Sequence, residues 1–308
     1  MNERKLPTFL VIGAMRSGTT TLYYSLLRHP QVFMASIKET NFFTFNDGYL
    51  DLPLTEDASL NFVATSITTR EGYEQLFRLA GSALAIGEVS PSYLYSRGAA
   101  ARVKALLPAT QLVALLRDPV DRAYSAYLRR AGAVDDPEAF LQTATSEQLS
   151  LNRGERLPLY PLVQGGLYAH HLEPYLKEFP RNQLWVRLFE DFWADEKGIL
   201  DLQRYLRIEP LELGTSAQLN RSGISRSRTL DRVLRSGAGA KTLAKRVLPR
   251  RVVRSLVNAK QRADDWNLDR PLGLPTEIRG HLIDRYFETD IRRLESIVER
   301  DLGSWLSR

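Results

Sequence analysis

Thr8-Phe-Leu-Val-Ile-Gly-Ala-Met-Arg-Ser-Gly-Thr-Thr-Thr-Leu-Tyr23 runs from an apolar strand through a glycine- and hydroxyl-rich turn into a helix. Backbone N–H groups in the first turn of a helix have no partner within it, and the helix dipole favours negative charge there. Gly18, Thr19 and Thr20 can therefore point theirs at an anion, with Ser17 and Thr21 completing the candidate set. Arg16 adds a permanent cation beside them. The turn reads as a phosphate cradle. Gly13 and Gly18 have the spacing of a nucleoside triphosphate loop, yet Thr19 stands where the lysine of such a loop reaches the β and γ phosphates. A second strand ending in a magnesium-supporting Asp is missing as well. The next strong strand, Gln111-Leu-Val-Ala-Leu-Leu116, ends in Arg117, followed by Asp118-Pro119.

The chain has 308 residues, 44% apolar and 25% charged, enough for a sizeable core and consistent with one α/β domain over 1–308. It contains no Cys, so a disulfide framework and a thiolate metal site are excluded. Of the histidines, His29, His170, His171 and His281, none is spaced as a ligand pair with a carboxylate on one helical face, so no metal is expected. A first strand beginning by about residue 8 leaves no room for a leader before it, and no apolar run is long enough to span a bilayer. A cytoplasmic location is the expectation.

The net charge of +6 is unevenly spread. Thirteen Lys and Arg lie between Arg221 and Arg262 against one acid, Asp231, so the remainder is net acidic. Such a block suits an anionic partner, and it equally suits a solvated basic helical face.

Alternation of elements follows the opening strand and helix. Thr19 to Arg28 reads as a helix closed by His29-Pro30, and Lys38 to Phe43 as a loop. Asp47 to Ser66 has little periodicity and is expected to be an irregular surface excursion. Helix signals recur at Glu71–Leu79, about 98–107, from Pro119, Gly166–Phe179 and Glu196–Leu206. Strand signals lie at Ala83–Ile86, 111–116 and Gln183–Leu188, and helix with loop fills 134–164. Thr276 to Val298 has the spacing of a long amphipathic helix. Strands separated by helices predict a P-loop-like three-layer α/β fold, a central parallel sheet flanked by helices.

Several stretches together resemble sulfotransferases that use 3′-phosphoadenosine 5′-phosphosulfate, closest to the carbohydrate and heparan sulfate branch and its bacterial relatives. The 5′-phosphosulfate loop of that family corresponds to Arg16-Ser17-Gly18-Thr19-Thr20. Its 3′-phosphate motif, a strand ending in Arg with Ser eight residues later, corresponds to Arg117 and Ser125. Its Lys-Glu-x-x-Phe-Phe motif corresponds to Lys38-Glu39-Thr40-Asn41-Phe42-Phe43. Gly87 to Tyr93, Gly166 to Leu172 and Asp301 to Trp305 also look like family segments. Two departures stand out: Arg16 replaces the commoner Lys, and Val89 stands where some heparan sulfate enzymes carry Lys after the Glu.

The resemblance implies sulfuryl transfer from that donor to a hydroxyl of a saccharide, glycolipid or other small acceptor, without a metal. Arg117 and Ser125 would hold the 3′-phosphate through charge-assisted bonds. Arg16 would stabilise charge growing on the leaving phosphate, since sulfuryl transfer needs in-line geometry and electrostatics above all. Glu39 is the candidate base, with Phe42 and Phe43 expected to dry its surroundings and raise its proton affinity. Glu88, Ser90 and Tyr93 are placed in the cleft after the third strand, touching substrate or bracing the loop. His171 reads as a satisfied buried histidine, His29 as a helix end, and Asp121 and Arg122 as helix-surface charges. Arg226 and Arg228 are candidates to complete the 3′-phosphate pocket. The segment 229–258 mixes cations with apolar residues, a pattern fitting either peripheral membrane contact or an ordinary amphipathic cover. Nucleic acid is not an expected partner, and the oligomeric state is not legible. Two rival readings remain: a P-loop small-molecule kinase using Mg-ATP, and a non-catalytic polyanion-binding protein.

Overall fold

The computed structural model describes residues 5–130, 135–213, 224–225, 268–269 and 273–307. At its centre lies β1 (Phe9–Gly13), every residue buried. It pairs in parallel with β5 (Ala85–Val89) on one side and β6 (Gln111–Leu116) on the other. Beyond β5 lies β2 (Val32–Met34), and beyond β6 lies β7 (Leu184–Leu188), giving the all-parallel order β2-β5-β1-β6-β7. Between β2 and β5 the chain makes a hairpin of β3 (Phe45–Asn46) and β4 (Tyr49–Leu50). A further two-residue pair joins β8 (Ile224–Ser225) to β9 (Leu268–Asp269), antiparallel.

Side chains alternate across a strand, so each strand feeds two cores. Leu10, Ile12, Leu112, Ala114 and Leu116 face one side. There they pack under α4 (Ala99–Leu106), α5 (Pro119–Tyr127), α6 (Pro137–Asn152), α7 (Tyr168–Glu178) and the C-terminal helices α10 (Thr276–Leu282) and α11 (Glu288–Val298). Phe9, Val11, Val113, Leu115 and Trp185 face the other side, beneath α1 (Thr19–Leu26), α8 (Phe189–Phe192) and α9 (Lys197–Tyr205). Removal of such side chains from water contributes about 1.5–3 kcal/mol each, and it forms the expected three layers. A wider π-type turn over Ile283–Phe287 joins α10 to α11 without breaking their path, so the helix expected over 276–298 is present with an irregular middle. Among the described residues no helix is long and apolar enough to cross a membrane.

The expected irregular excursion at 47–66 is corrected: it contains β4 and a ten-residue helix, α2 (Glu56–Thr65). Its periodicity is faint because Phe62 is the one buried member of α2, so core packing imprints little on the sequence. Two other boundaries move. The helix expected at 71–79 is α3 (Arg70–Gln75), begun by Thr69, whose side chain accepts the Gly72 N–H. The third strand runs 85–89 rather than 83–86, which puts Glu88 inside the sheet.

Candidate active site

From β1 the chain crosses over β5 to reach β2, whereas β6 lies on the opposite side of β1. The C-terminal end of β1 is therefore the switch point at which open α/β sheets leave a crevice. Three candidate segments come together there. The glycine turn follows β1. Arg117 follows β6. Glu39 docks at the end of β5, its N–H donating to the Val89 carbonyl at 2.8 Å.

In the glycine turn, Ala14 N–H donates to the Leu115 carbonyl at 2.8 Å and Met15 N–H to the Tyr95 hydroxyl at 3.0 Å. Gly18 begins α1 with φ 79°, a left-handed conformation that glycine adopts without a Cβ penalty. No side chain caps α1 and no acid lies in its first turn, so its end is left for an external anion. The Ser17 hydroxyl is buried without a hydrogen-bond partner, an orphan that a bound oxyanion would satisfy. Thr19 and Thr21 are buried and Thr20 is exposed.

The Arg16 guanidinium reaches from this turn to α5, where Nε and Nη2 donate to Ser125 Oγ at 3.1 and 2.9 Å. The two phosphate motifs thus meet across 109 residues of sequence. Burial pulls the Arg16 pKa down to about 9, with Arg129, Arg117 and Arg122 adding repulsion and Tyr160 opposing it. The group stays cationic at neutral pH. Guanidinium groups gathered in this way raise the local positive potential and favour an anion nearby.

Arg122 corrects the expectation of a surface charge: it is 1% exposed, bonded through Nη2 to the Pro161 carbonyl at 3.2 Å and to the Leu162 carbonyl. Gly165 makes room for it, since a Cβ there would come within 2.7 Å of Nη1. The carbonyl segment is pinned in turn by α6. Glu147 pairs with Arg130 at 2.5 Å and accepts the Leu162 N–H at 2.9 Å, while Arg130 donates to the Tyr160 carbonyl at 2.7 Å. Arg122 was obscured because an isolated Arg reads as surface. The stripe Arg122, Ser125 and Arg129, at i, i+3 and i+7, was the available signal.

Arg117 lies over the Phe189 ring, 5.2 Å from its centroid, and its carbonyl accepts the Tyr168 hydroxyl at 2.8 Å. Asp118 and Asp121, which follow Arg117 in sequence, pair with Arg279. Arg279 Nη1 bonds Asp118 Oδ2 at 2.8 Å, and Nη2 bonds Asp121. Asp118 Oδ1 meanwhile accepts the N–H groups of Val120 and Asp121 at 2.9 and 3.0 Å, capping α5. Burial raises the Asp118 pKa and Asp121 adds to it, with Arg279 pulling the other way. Nothing in the sequence marked Arg279, which lies beyond the basic block.

Glu39 pairs with Lys38, the side chains 44% and 15% exposed respectively. Phe42 stacks on Tyr73 with centroids 4.3 Å apart, and Phe43 meets Tyr73 and Tyr93 edge-on at 5.4 Å. Those phenols bond Glu88, which is fully buried and lies in the strand rather than on a cleft surface. Of the two roles open for Glu88, Ser90 and Tyr93, the structure shows bracing of the loop. His171 is satisfied through Nε2 and the Gln164 carbonyl at 2.8 Å. His29 is buried at the end of α1, with Nε2 on the Glu209 carbonyl at 2.9 Å. Arg226, Arg228 and nearly all of the basic segment lie outside the described residues.

A sequence profile described as "Sulfotransferase family" matches residues 7–201. The chain belongs to the sulfotransferase family. It is 30% identical over 218 residues to bifunctional heparan sulfate N-deacetylase/N-sulfotransferase 3 of Homo sapiens, covering 67% of this chain and 23% of that protein. It is 31% identical over 207 residues to heparan sulfate glucosamine 3-O-sulfotransferase 3A1 of Mus musculus, covering 64% and 44%. The chain thus spans less than half the length of these relatives. The crystal structure of a sulfotransferase from Alicyclobacillus acidocaldarius superposes with a TM-score of 0.69 at 25% identity, covering 98% of this chain and 99% of that one.

Proposed function

We propose that the protein transfers a sulfuryl group from 3′-phosphoadenosine 5′-phosphosulfate to a hydroxyl of a saccharide, glycolipid or other small acceptor. The products are a sulfate ester and adenosine 3′,5′-bisphosphate. The observation that carries this reading is the pair of hydrogen bonds from Arg16 to Ser125, which joins the glycine turn to the second motif in one cationic recess. The uncapped start of α1 and the orphaned Ser17 hydroxyl fit the 5′ end of the donor. Arg117 and Ser125 fit its 3′-phosphate. When bound, the donor supplies an activated sulfur whose bridge oxygen leaves with the 5′-phosphate as the acceptor oxygen attaches. Arg16 stabilises charge on that bridge, and Glu39 takes the acceptor proton. A saccharide acceptor is supported by the names of the relatives, which are heparan sulfate enzymes.

The test is thermal stabilisation by adenosine 3′,5′-bisphosphate compared with ADP and Mg-ATP, in wild type and Arg117→Ala. A ligand at a hundredfold excess over Kd stabilises by about 2.7 kcal/mol. The bisphosphate should shift the wild-type transition by that order, ADP and Mg-ATP far less. Arg117→Ala should lose about 1.5–3 kcal/mol of bisphosphate binding, the worth of a charged hydrogen bond. Equal stabilisation by ADP with magnesium would overturn the proposal in favour of a kinase.

A further inference from the structure

The stretch Lys38–Asn41 holds Glu39 in a backbone conformation that glutamate disfavours. Glu39 and Asn41 have φ of 64° and 54°, the left-handed region that costs a side chain such as glutamate energy and that asparagine tolerates. Such a conformation persists where its surroundings over-determine it. Here five bonds do so. Glu39 N–H donates to the Val89 carbonyl at 2.8 Å, and Asn41 N–H to Ser90 Oγ at 3.1 Å. Asn41 Oδ1 accepts the Ser92 hydroxyl at 2.7 Å, and its Nδ2 donates to Ser66 Oγ at 3.0 Å. Between the two left-handed residues, Thr40 Oγ1 donates to Glu88 Oε2 at 2.6 Å.

Glu88 gathers this network. Its Oε2 also accepts the Ser90 hydroxyl at 2.9 Å, and its Oε1 accepts Tyr93 and Tyr73 at 2.6 and 3.0 Å. A carboxylate offers lone pairs to all four hydroxyls at once, which an amide cannot. A buried carboxylate bonded to hydroxyls is expensive to desolvate, and burial pushes the Glu88 pKa up against the pull of its four donors. Glu88 lies on β5 directly opposite Leu10 of β1, so the strand leading into the glycine turn and the strand against which Glu39 docks share one register.

We propose that Glu88, acting through Thr40, is the positioning residue for Glu39, fixing the left-handed backbone that aims the base at the acceptor. The inference rests on the reading of Glu39 as that base. Thr40→Val removes the hydroxyl at nearly constant volume, and Thr40→Ser restores it. Release of adenosine 3′,5′-bisphosphate from the donor is followed with neutral and acidic disaccharide glycosides as probe acceptors, and with water alone. Amide hydrogen exchange at Glu39 and Asn41 is measured alongside.

Thr40→Val should lower kcat 10- to 100-fold with the donor KM within twofold, keep wild-type stabilisation by the bisphosphate, and speed exchange at both amides at least tenfold. Thr40→Ser should return kcat to within threefold of wild type. The positioning role is overturned by wild-type exchange rates in Thr40→Val, or by parallel loss of donor affinity and turnover, which marks a general structural lesion. Glu39→Gln separates the two layers: if it is inactive while Thr40→Val keeps full turnover, the base reading stands and the positioning role falls. If Glu39→Gln turns over normally, the base reading falls first.

Discussion

Ser125 is a helix serine whose importance lies in what reaches it. Without its hydroxyl, the Arg16 guanidinium loses the partner that ties the glycine turn to α5. Ser125→Ala should weaken adenosine 3′,5′-bisphosphate by about 1.5–3 kcal/mol, the worth of a hydrogen bond to a charged group. Adenosine 5′-phosphate, which lacks the 3′ group, should lose less, only what the freed Arg16 costs its 5′-phosphate; titration calorimetry of both ligands checks the contrast. His171 makes a prediction of another kind. Burial pulls its pKa down to about 4, with His170 and Arg122 contributing and the Gln164 bond opposing. In the unfolded chain an imidazole titrates near 6.5. Between those values the unfolded state binds more protons, so this contribution to stability is present above about pH 6.5 and is lost as pH falls towards 4. At pH 5 the loss is about 2 kcal/mol. His171→Gln, which keeps a donor for the Gln164 carbonyl, should remove that dependence. Urea unfolding of both proteins at pH 7 and pH 5 should show wild type losing about 2 kcal/mol more than the variant. At this scale the residues with a motif around them, Arg16, Arg117 and Ser125, were legible. Arg122, Arg129 and Tyr160 were not, because their roles depend on which way a helix or a pinned loop faces.

Among the elements, α5 and α1 start at the same edge of the sheet and are finished differently. The start of α5 is occupied by Asp118, itself held by Arg279 from α10. The start of α1 carries no side-chain cap. Arg279→Ala strands Asp118 and Asp121 side by side and loosens the turn that carries Arg117. Bisphosphate affinity should fall about tenfold and stability by about 1–3 kcal/mol, as read by calorimetry and thermal unfolding. Restoring the cation as Arg279→Lys should recover part of the stability and less of the affinity, since Lys cannot serve both carboxylates with a planar fork. β1 and β6 were readable as apolar runs buried on both faces, and β7 by its alternation. The start of β5 and helix α2 were less so. Gly87 and Glu88 interrupt the apolar run of β5, and α2 buries too little surface to impose a period.

For the molecule as a whole, the chain following the basic segment returns to stabilise the site layer. Asp290 of α11 accepts the N–H groups of Ala169 and His170 at 2.9 and 3.0 Å, capping α7 from a distant part of the chain. Asp290→Ala leaves two donors in the first turn of α7 unpaired and should cost about 2 kcal/mol in denaturant unfolding, without changing selectivity between nucleotides. That tertiary cap was invisible in the sequence, whereas the parallel three-layer arrangement was readable from the succession of strands and helices. The recess at the switch point has a kinetic corollary. On the proposed reading, Arg117, Ser125 and the amides of the glycine turn would grasp portions of the nucleotide that turnover leaves untouched, holding spent and fresh carrier alike, a uniform binding that lends nothing to the chemical step. Slow departure of the spent carrier is the expected consequence of that reading, and a companion phosphatase that clips its 3′ group would act as an accelerator.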